Sequence, residues 1–222
     1  MSMPERDIDV AAAKRRFQRA AATYGDVSVL AREVERRMQE RLQYIRHSPR
    51  RLLDAGCGPG DGMALLRKRF PDSRLIGLDI APAMARSACR ARTLLARARE
   101  LFSGAGCSCV CADLARLPLA PGCVGMVWSN LALGWAVDAG AALAEFGRVL
   151  EPQGLLMFST YGPDTLKELR SSFAKVDGYA HVHRFIDMHD LGDMLVSAGF
   201  ADPVMDMEIV TLAYAELSGL AR

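Results

Sequence analysis

Short apolar runs alternate with helical segments along most of the chain. The runs RLLDAG, RLIGLDI, CSCVCAD, VGMVWSN and GLLMFST have the length of strands. Helical periodicity covers the segments 63–70, 82–102, 139–150, 165–175 and 189–198. Strands that alternate with helices form a parallel sheet with right-handed crossovers. The pattern therefore predicts an α/β fold with a doubly wound, mostly parallel, Rossmann-like sheet.

Two helical segments precede this alternation, over about 10–24 and 27–47. Apolar residues recur at every fourth position of the second segment, at Leu30, Val34, Met38 and Leu42. The charged residues between them, including Glu35, are interpreted as a solvated helix face. The chain thus divides into an N-terminal helical segment, 1–48, on the lid and substrate side, and an α/β domain, 49–222.

The composition excludes several classes of protein. The 222 residues are 50% hydrophobic and 24% charged, which is enough to bury a sizeable core. The net charge of +2 is far from that of a dedicated nucleic-acid binder. The acidic residues near the start argue against a transit peptide, and no apolar stretch approaches the ~20 residues of a membrane-spanning helix. We expect a cytoplasmic protein with neither a nucleic-acid nor a membrane partner.

Cysteine and histidine do not have the spacing of a metal site. Six cysteines lack the paired spacings of a secreted disulfide scaffold. Cys107, Cys109 and Cys111 alternate along a strand without a nearby histidine motif, and are interpreted as buried thiols. His181 and His183 are interpreted as polar loop positions. We expect no metal.

A glycine-rich turn follows the first strand. DAGCGPG links Leu53 to a helical segment, so the backbone can approach a ligand at a helix N-terminus. The dinucleotide fingerprint would need glycine at 61, where Asp61 stands, and the P-loop spacing is absent. Asp79 and Asp113 follow the second and third strands, where an acid can bind ribose hydroxyls. The ligand would be a nucleotide phosphate or a cofactor without phosphate.

The ordered motifs LLDAGCGPGDG, GLDIAPAM, CADLARLPL, MVWSNLALGW and LEPQGLLMFST resemble those of class I S-adenosylmethionine-dependent methyltransferases. The resemblance covers about 52–160 and implies an S-adenosylmethionine site. The implied cofactor residues are Asp54, Gly56 and Gly58 around the amino-acid part, Gly60 in the same turn, Asp79 on the ribose, Ile80, Met84, Asp113 and Leu114 near the adenine, and Asn130 beside the sulfonium methyl group. The cofactor has no phosphate, so a third phosphate-binding glycine is unnecessary.

A further resemblance extends over nearly the whole chain, through FQRAAATYGD, FSTYGPDTLKELRSSF and HVHRFIDMHDLGDMLVSAGF. These segments are similar to the malonyl-acyl-carrier-protein O-methyltransferase family of biotin biosynthesis. The resemblance implies esterification of the free carboxylate of a malonyl thioester, with an acyl carrier protein or coenzyme A as the carrier. A carboxylate, with a reference pKa near ~4, is already anionic at neutral pH, so the transfer needs no general base.

The substrate side offers three candidate residues. Arg184 could grip both carboxylate oxygens through its guanidinium, or could be a surface arginine. Tyr24 could cover the cofactor or simply pack, and Trp135 could form a pocket wall or belong to the core. An acidic carrier protein would dock on basic residues, and the candidate clusters are Arg15, Arg16 and Arg19, or Arg86, Arg90 and Arg92. Both clusters could equally be solvated helix faces.

The end of the sequence departs from this family. Members carry a further helix and an antiparallel seventh strand, whereas Arg222 follows soon after the last strand candidate, Met205–Tyr214. We expect the seventh strand to be missing and a sheet edge to be unpaired.

Two other functions stay open. GPDTLKELR and HDLGDMLVSAGF also look similar to a mitochondrial assembly factor that hydroxylates an arginine of a respiratory-chain subunit. A non-catalytic cofactor-binding assembly protein is the other.

Overall fold

The computed structural model describes residues 8–90, 106–214 and 216. Five strands lie in it: β1 (Arg51–Ala55), β2 (Arg74–Asp79), β3 (Cys107–Cys111), β4 (Val124–Ser129) and β5 (Leu150–Phe158). The helices are α1 (Val10–Ala20), α2 (Tyr24–Val27), α3 (Val29–Leu42), α4 (Asp61–Arg69), α5 (Pro82–Arg90), α6 (Ala139–Val149), α7 (Lys167–Phe173) and α8 (Met188–Ser197). The strand and helix alternation predicted from the apolar pattern is confirmed.

The five strands form one parallel sheet in the order β3-β2-β1-β4-β5. The chain winds outward from β1 to β3 on one side and then crosses to β4 and β5 on the other. The strand order therefore reverses between β1 and β4. In open α/β sheets a ligand binds at this switch point, beyond the carboxyl ends of the strands.

Helices cover both faces of the sheet because successive residues of its central strands point to opposite sides. On one face, Leu53 and Val127 pack in a core with Leu143 and Phe146 of α6 and with residues of α8. On the other face, Leu52, Met126 and Trp128 pack with Met38 and Leu42 of α3 and with residues of α4. β4 is buried along its whole length, which is typical of a central parallel strand.

The N-terminal helices pack on the α/β domain. Asp9 caps α1, its Oδ1 accepting from the amide of Ala12 at 2.8 Å. The side chain of Gln18 on α1 accepts from the amide of Ala83 on α5 at 2.9 Å. The prediction of one helix as far as Tyr24 is wrong in its last turn, because α1 ends at Ala20 and a separate helical turn begins at Tyr24.

The prediction of a strand over Met205–Tyr214 is wrong. The segment has no regular secondary structure and takes no place beside β5 in the sheet. Its acidic residues instead bind α3: Asp206 and Glu208 accept from Arg41, and Glu208 also accepts from Arg37 at 2.6 Å. Apolar and polar alternation can favour a strand, but a strand also needs a ladder partner.

Three other observations bear on the sequence predictions. The predicted helix over 82–102 is described only as far as Arg90, and its remainder, with Arg92, lies outside the described residues. Within the described part of the chain, no helix combines the length and apolar character needed to cross a bilayer. The same residues contain no group of three or more His, Cys, Asp or Glu that could hold a metal ion.

Candidate active site

A cleft opens at the carboxyl ends of β1, β2 and β4, at the switch point of the sheet. Its lining comes from the segments that follow all five strands, including the start of α5, and from α1 and α2. The lining residues are Val10, Phe17, Tyr24, Gly56, Gly58, Asp79, Ile80, Met84, Asp113, Leu114, Asn130, Leu131, Ala132, Trp135, Ala136, Val137 and Tyr161. The N-terminal segment and the sheet thus build the site jointly.

The glycine turn lies against the backbone of its neighbours. Gly56 has a φ of +85°, and a Cβ built on it would lie 2.1 Å from the Cβ of Ala132. Gly60 has a φ of +106°, and its Cβ would lie 2.8 Å from the Cα of Ala88. A side chain at either position would be strained in its backbone and would also collide with a neighbour. This explains why the tight turn is built from glycine.

The carboxylate of Asp79 is held at the end of β2 by backbone amides. Its Oδ1 accepts from the amide of Ala81 at 2.8 Å and its Oδ2 accepts from the amide of Gly58 at 3.0 Å. Burial raises the pKa of Asp79, and these two hydrogen bonds oppose the rise. Each oxygen keeps a further lone pair, so the carboxylate can accept hydroxyl donors from a ligand in the cleft.

Aromatic side chains wall the substrate side of the cleft. Phe17 and Trp135 meet edge to face with ring centroids 5.2 Å apart, and Phe17 lies 6.3 Å from Tyr24. His183 packs edge-on against Trp135 at 5.8 Å. The N-terminal helices and the loop after α7 therefore meet at Trp135. Such an aromatic wall is typical of a pocket that binds an organic ligand.

Two phenols of this wall stay protonated at neutral pH. Burial raises the pKa of Tyr24, and the carboxylates of Asp79 and Asp61 raise it further. Burial also raises the pKa of Tyr161 to about 12. A protonated phenol donates a hydrogen bond and is not a base. The cleft can thus offer donors to an anionic substrate group.

The amide of Asn130 is fixed by hydrogen bonds on both sides. Its Nδ2 donates to the carbonyl of Ala31 at 2.8 Å and to Oε2 of Glu35 at 2.7 Å, while its Oδ1 accepts from Oγ of Ser159 at 2.9 Å. The next residue, Leu131, has a φ of +55° and also lines the cleft. The left-handed backbone is costly for leucine, and such strain is found preferentially at functional sites.

Two carboxylates are buried beneath the cleft. Glu35 is 6% exposed and Asp54 is 3% exposed. Both approach Gly62, whose Cβ would lie 2.9 Å from Oε1 of Glu35 and 3.1 Å from Oδ2 of Asp54. Desolvation raises the pKa of Glu35 to about 7 and that of Asp54 well above its ordinary value, with the two acids in each other's field. The interpretation of Glu35 as part of a solvated face is wrong.

Most of the predicted site residues come together in the cleft. Eight residues of the predicted cofactor set line it: Gly56, Gly58, Asp79, Ile80, Met84, Asp113, Leu114 and Asn130. Two residues of the predicted substrate set, Tyr24 and Trp135, line it as well. Asp54 lies buried below the glycine turn and Gly60 packs on Ala88. Arg184 is exposed and does not belong to the lining, although its neighbour His183 touches Trp135.

Sequence reasoning missed Phe17, Tyr161 and Glu35. Phe17 stands on the same helix as the basic residues chosen for docking, and its apolar side chain faces the cleft instead. Tyr161 follows the end of β5, which is the position where a parallel sheet places its site residues. Glu35 stands three residues before Met38 and seven before Leu42, and this spacing puts it on the buried helix face.

The cleft fits S-adenosylmethionine. Its glycine turn leaves no room for a Cβ at Gly56, an acid stands at the end of β2, and apolar Ile80, Met84 and Leu114 lie beyond that acid. Residues 53–158 match the family described as "Methyltransferase domain". A Thermotoga maritima S-adenosylmethionine-dependent methyltransferase superposes with a TM-score of 0.61 at 19% identity, covering 84% of this chain and 80% of that one.

Another structure shares the fold over more of the chain. The complex between the Haloferax volcanii Trm112 activator and its methyltransferase matches with a TM-score of 0.66 at 20% identity, covering 96% of this chain and 85% of that chain. Fold, site and matched domain together define a class I methyltransferase.

Curated relatives identify the family within this class. The malonyl-[acyl-carrier protein] O-methyltransferase of Laribacter hongkongensis is 55% identical over 206 residues, which are 93% of this chain and 69% of that protein. The enzyme of the same name from Gallionella capsiferriformans is 50% identical over 220 residues, 99% of this chain and 75% of that protein. The chain belongs to the malonyl-[acyl-carrier protein] O-methyltransferase family.

Proposed function

We propose that this chain transfers the methyl group of S-adenosylmethionine to the free carboxylate of a malonyl thioester carried by an acyl carrier protein. The observation that carries the proposal is the 55% identity to a relative of that name over 93% of the chain. The same identity supports the proposal that this methyl transfer is a step of biotin biosynthesis, as the sequence resemblance implies. The geometry supports the chemistry as follows.

The cofactor supplies an electrophilic methyl group on a sulfonium. Asp79 would hold the ribose through charge-assisted hydrogen bonds, since amide donors already fix the orientation of its carboxylate. Ile80, Met84 and Leu114 would enclose the adenine. Gly56, which packs against Ala132 with no room for a side chain, would present the backbone of the tight turn to the amino-acid part. These contacts would bind the cofactor and orient it.

The acceptor carboxylate needs alignment and not deprotonation. It is anionic at neutral pH, so no residue has to take a proton. The protonated phenols of Tyr24 and Tyr161 would donate to its oxygens and hold one of them in line with the methyl group. Well-oriented reactants can save roughly 7–11 kcal/mol of a barrier. Arg184, beside His183 at the edge of the wall, stays the proposed guanidinium partner of the substrate.

The carrier protein would dock beside the outer face of α1. Its exposed residues Arg15, Arg16 and Arg19 face solvent while Phe17 faces the cleft. Arg86 and Arg90 are exposed on α5, against which α1 packs. An acidic carrier would be attracted to this basic surface, and its thioester arm would then have a short path to the aromatic wall.

The test uses labelled S-adenosylmethionine with matched thioesters. We expect label in malonyl-carrier protein as a base-labile methyl ester, and none in acetyl-carrier protein, which has no free carboxylate. Malonyl-coenzyme A in parallel decides whether the carrier protein is required. Tight cofactor binding without ester formation on either malonyl thioester would contradict the proposal. It would favour the cofactor-binding assembly protein or the arginine hydroxylase instead.

Docking has its own test. The double charge reversal R16E/R19E should raise KM for malonyl-carrier protein at least about tenfold and leave KM for malonyl-coenzyme A within about twofold. The same change at two exposed residues of α4, K68E/R69E, serves as the control. An unchanged KM for the carrier protein in R16E/R19E would place the docking surface elsewhere.

A further inference from the structure

Glu35, a buried carboxylate, joins the N-terminal helices to the cofactor site. Glu35 lies in the middle of α3, 6% exposed, on the face that also carries Met38 and Leu42. Packing alone would be served better by leucine or methionine, because burying a carboxylate costs several kcal/mol unless its oxygens are hydrogen-bonded. A carboxylate at this position therefore requires partners.

Both oxygens of Glu35 have a partner at the carboxyl end of β4. Oε1 accepts from the indole nitrogen of Trp128 at 3.0 Å, and Oε2 accepts from the amide nitrogen of Asn130 at 2.7 Å. The second hydrogen of the Asn130 amide goes to Ala31, also on α3. Glu35 thus fixes two donors on alternate residues, one at the centre of the core and one in the cleft.

The network continues to the end of β5. Oδ1 of Asn130 accepts from Ser159, whose Oγ accepts in turn from the amide of Leu131 at 3.0 Å. Tyr161 follows two residues later and lines the cleft. On the other side, α3 directly follows the helices that bring Phe17 and Tyr24 to the cleft. Glu35 therefore connects the two halves of the site through side-chain hydrogen bonds to both Trp128 and Asn130.

We propose that Glu35 is a positioning residue for methyl transfer, which acts through Asn130 and Trp128 to hold α3 and the carboxyl end of β4 in register across the cofactor cleft. The part of this inference that concerns turnover rests on the proposed function. The part that concerns cofactor affinity does not.

The titratable groups near Glu35 on the described neighbouring elements are two other carboxyl groups. Asp54 on β1 and Asp61 on α4 interact with it electrostatically, while Trp128 on β4 and Asn130 directly after β4 are neutral donors. Among the described residues no ion pair includes Glu35. A change in its ionisation should therefore be felt directly by the indole that donates to it.

The test compares E35Q with E40Q, a matched change at an exposed position of the same helix. Glutamine replaces one of the two acceptor oxygens with an NH2 group, which only donates, so one of the two donors would face another donor. We expect E35Q to weaken S-adenosylmethionine binding in calorimetry at least about fivefold, and to lower kcat at least about tenfold with KM for malonyl-carrier protein within about threefold. E40Q should match the wild-type protein in each measurement.

Nuclear magnetic resonance separates positioning from packing. The chain has two tryptophans, so its two indole N–H signals are easily assigned, and Trp135 is the internal reference. In the wild-type protein the Trp128 signal should move with pH around neutrality, and in E35Q that movement should disappear. If E35Q does not fold, S159A removes the hydroxyl on the other side of Asn130 and should lower cofactor affinity and kcat in the same direction.

The outcomes are distinguishable. If E35Q folds and binds the cofactor with wild-type affinity, the inference is overturned. It is also overturned if the Trp128 signal of E35Q has lost its pH dependence while its kcat is that of the wild-type protein. If E35Q does not fold, wild-type cofactor affinity and wild-type kcat in S159A overturn the inference. A wild-type protein that binds the cofactor but methylates no malonyl thioester contradicts the proposed function alone, and cofactor affinity then decides the role of Glu35.

Discussion

At the scale of single residues, Asp79 is the carboxylate best prepared to bind the cofactor. Two backbone amides orient it before any ligand arrives, so little rotamer entropy remains to be lost. Asp79→Ala should weaken S-adenosylmethionine binding by roughly 1.5–3 kcal/mol, the usual value of hydrogen bonds to a charged group. Calorimetry measures the change. Asp193→Ala, at an exposed position of α8, is the control, and equal affinity in both variants would contradict this role.

Gly56 is the residue at which shape matters most. Gly56→Ala would force a methyl group to 2.1 Å from the Cβ of Ala132 in a backbone with φ of +85°. Overpacking and left-handed strain together should cost about 2–5 kcal/mol in the free energy of unfolding. Urea denaturation gives this value, and cofactor affinity should fall as well. Gly192→Ala has no atom within 4 Å of the new Cβ and should be neutral or stabilising.

Single residues also show where sequence reasoning succeeds. Positions that follow strand ends, such as Asp79, Asp113 and Asn130, could be predicted because a parallel sheet brings its carboxyl ends together. Glu35 could not be recognised as buried from its charge, since glutamate is rarely buried without partners. Its helical spacing from Met38 and Leu42 was a signal, but its partners Trp128 and Asn130 lie more than ninety positions away. Such distant contacts come only from the fold.

At the scale of elements, the segment 203–214 shows how a pattern can predict the wrong structure. Its apolar residues Val204, Met207 and Ile209 are 93%, 64% and 78% exposed, while its acids bind α3. Strands β1, β2 and β4 were predictable because they are largely buried between helices and their apolar runs reflect that burial. The edge strands β3 and β5 contain no fully buried residue, but each pairs with a neighbouring strand of the sheet. The sixth candidate has alternation alone, which does not specify a neighbour.

The ion pairs with α3 should therefore be what holds this segment. The double variant R37A/R41A removes the partners of Asp206 and Glu208. Exposed pairs contribute little to global stability, so Tm should change by less than about 3 °C. Backbone order parameters over 203–214 should nevertheless fall, and 0.5 M salt should have the same effect on the wild-type protein. Unchanged order parameters in the variant would show that other contacts, such as the packing of Met205 against the core, hold the segment.

At the scale of the whole molecule, the site exists only because the N-terminal helices and the sheet are assembled. Phe17 and Tyr24 come from one part, and Gly56, Asp79 and Asn130 come from the other. The core beneath the cleft includes Glu35, so the ionisation of one buried group affects the stability of the entire fold. Its pKa rises from the ordinary 4.5 to about 7 on folding, mainly through desolvation.

The sign of the resulting pH dependence follows from linkage. A carboxyl whose pKa is raised on folding stabilises the folded state fully below its unfolded pKa of 4.5, and this contribution is lost as the pH rises to about 7. The loss is at most about 1.4 kcal/mol per pH unit. E35Q cannot titrate at this position, so the difference in unfolding free energy between wild-type protein and E35Q should fall between pH 4.5 and 7 and then level off.

Urea denaturation at a series of pH values tests this whole-molecule effect. Asp54 is present in both proteins, but the charge of Glu35 contributes to its raised pKa, so the difference between the two curves reports the coupled pair. E40Q should follow the wild-type curve because that position is exposed. Parallel curves for the wild-type protein and E35Q would mean that Glu35 is ionised throughout the range. Its hydrogen bonds from Trp128 and Asn130 would then outweigh desolvation. A curve that falls and levels near neutrality would mean instead that folding holds a proton on Glu35 which the unfolded chain releases.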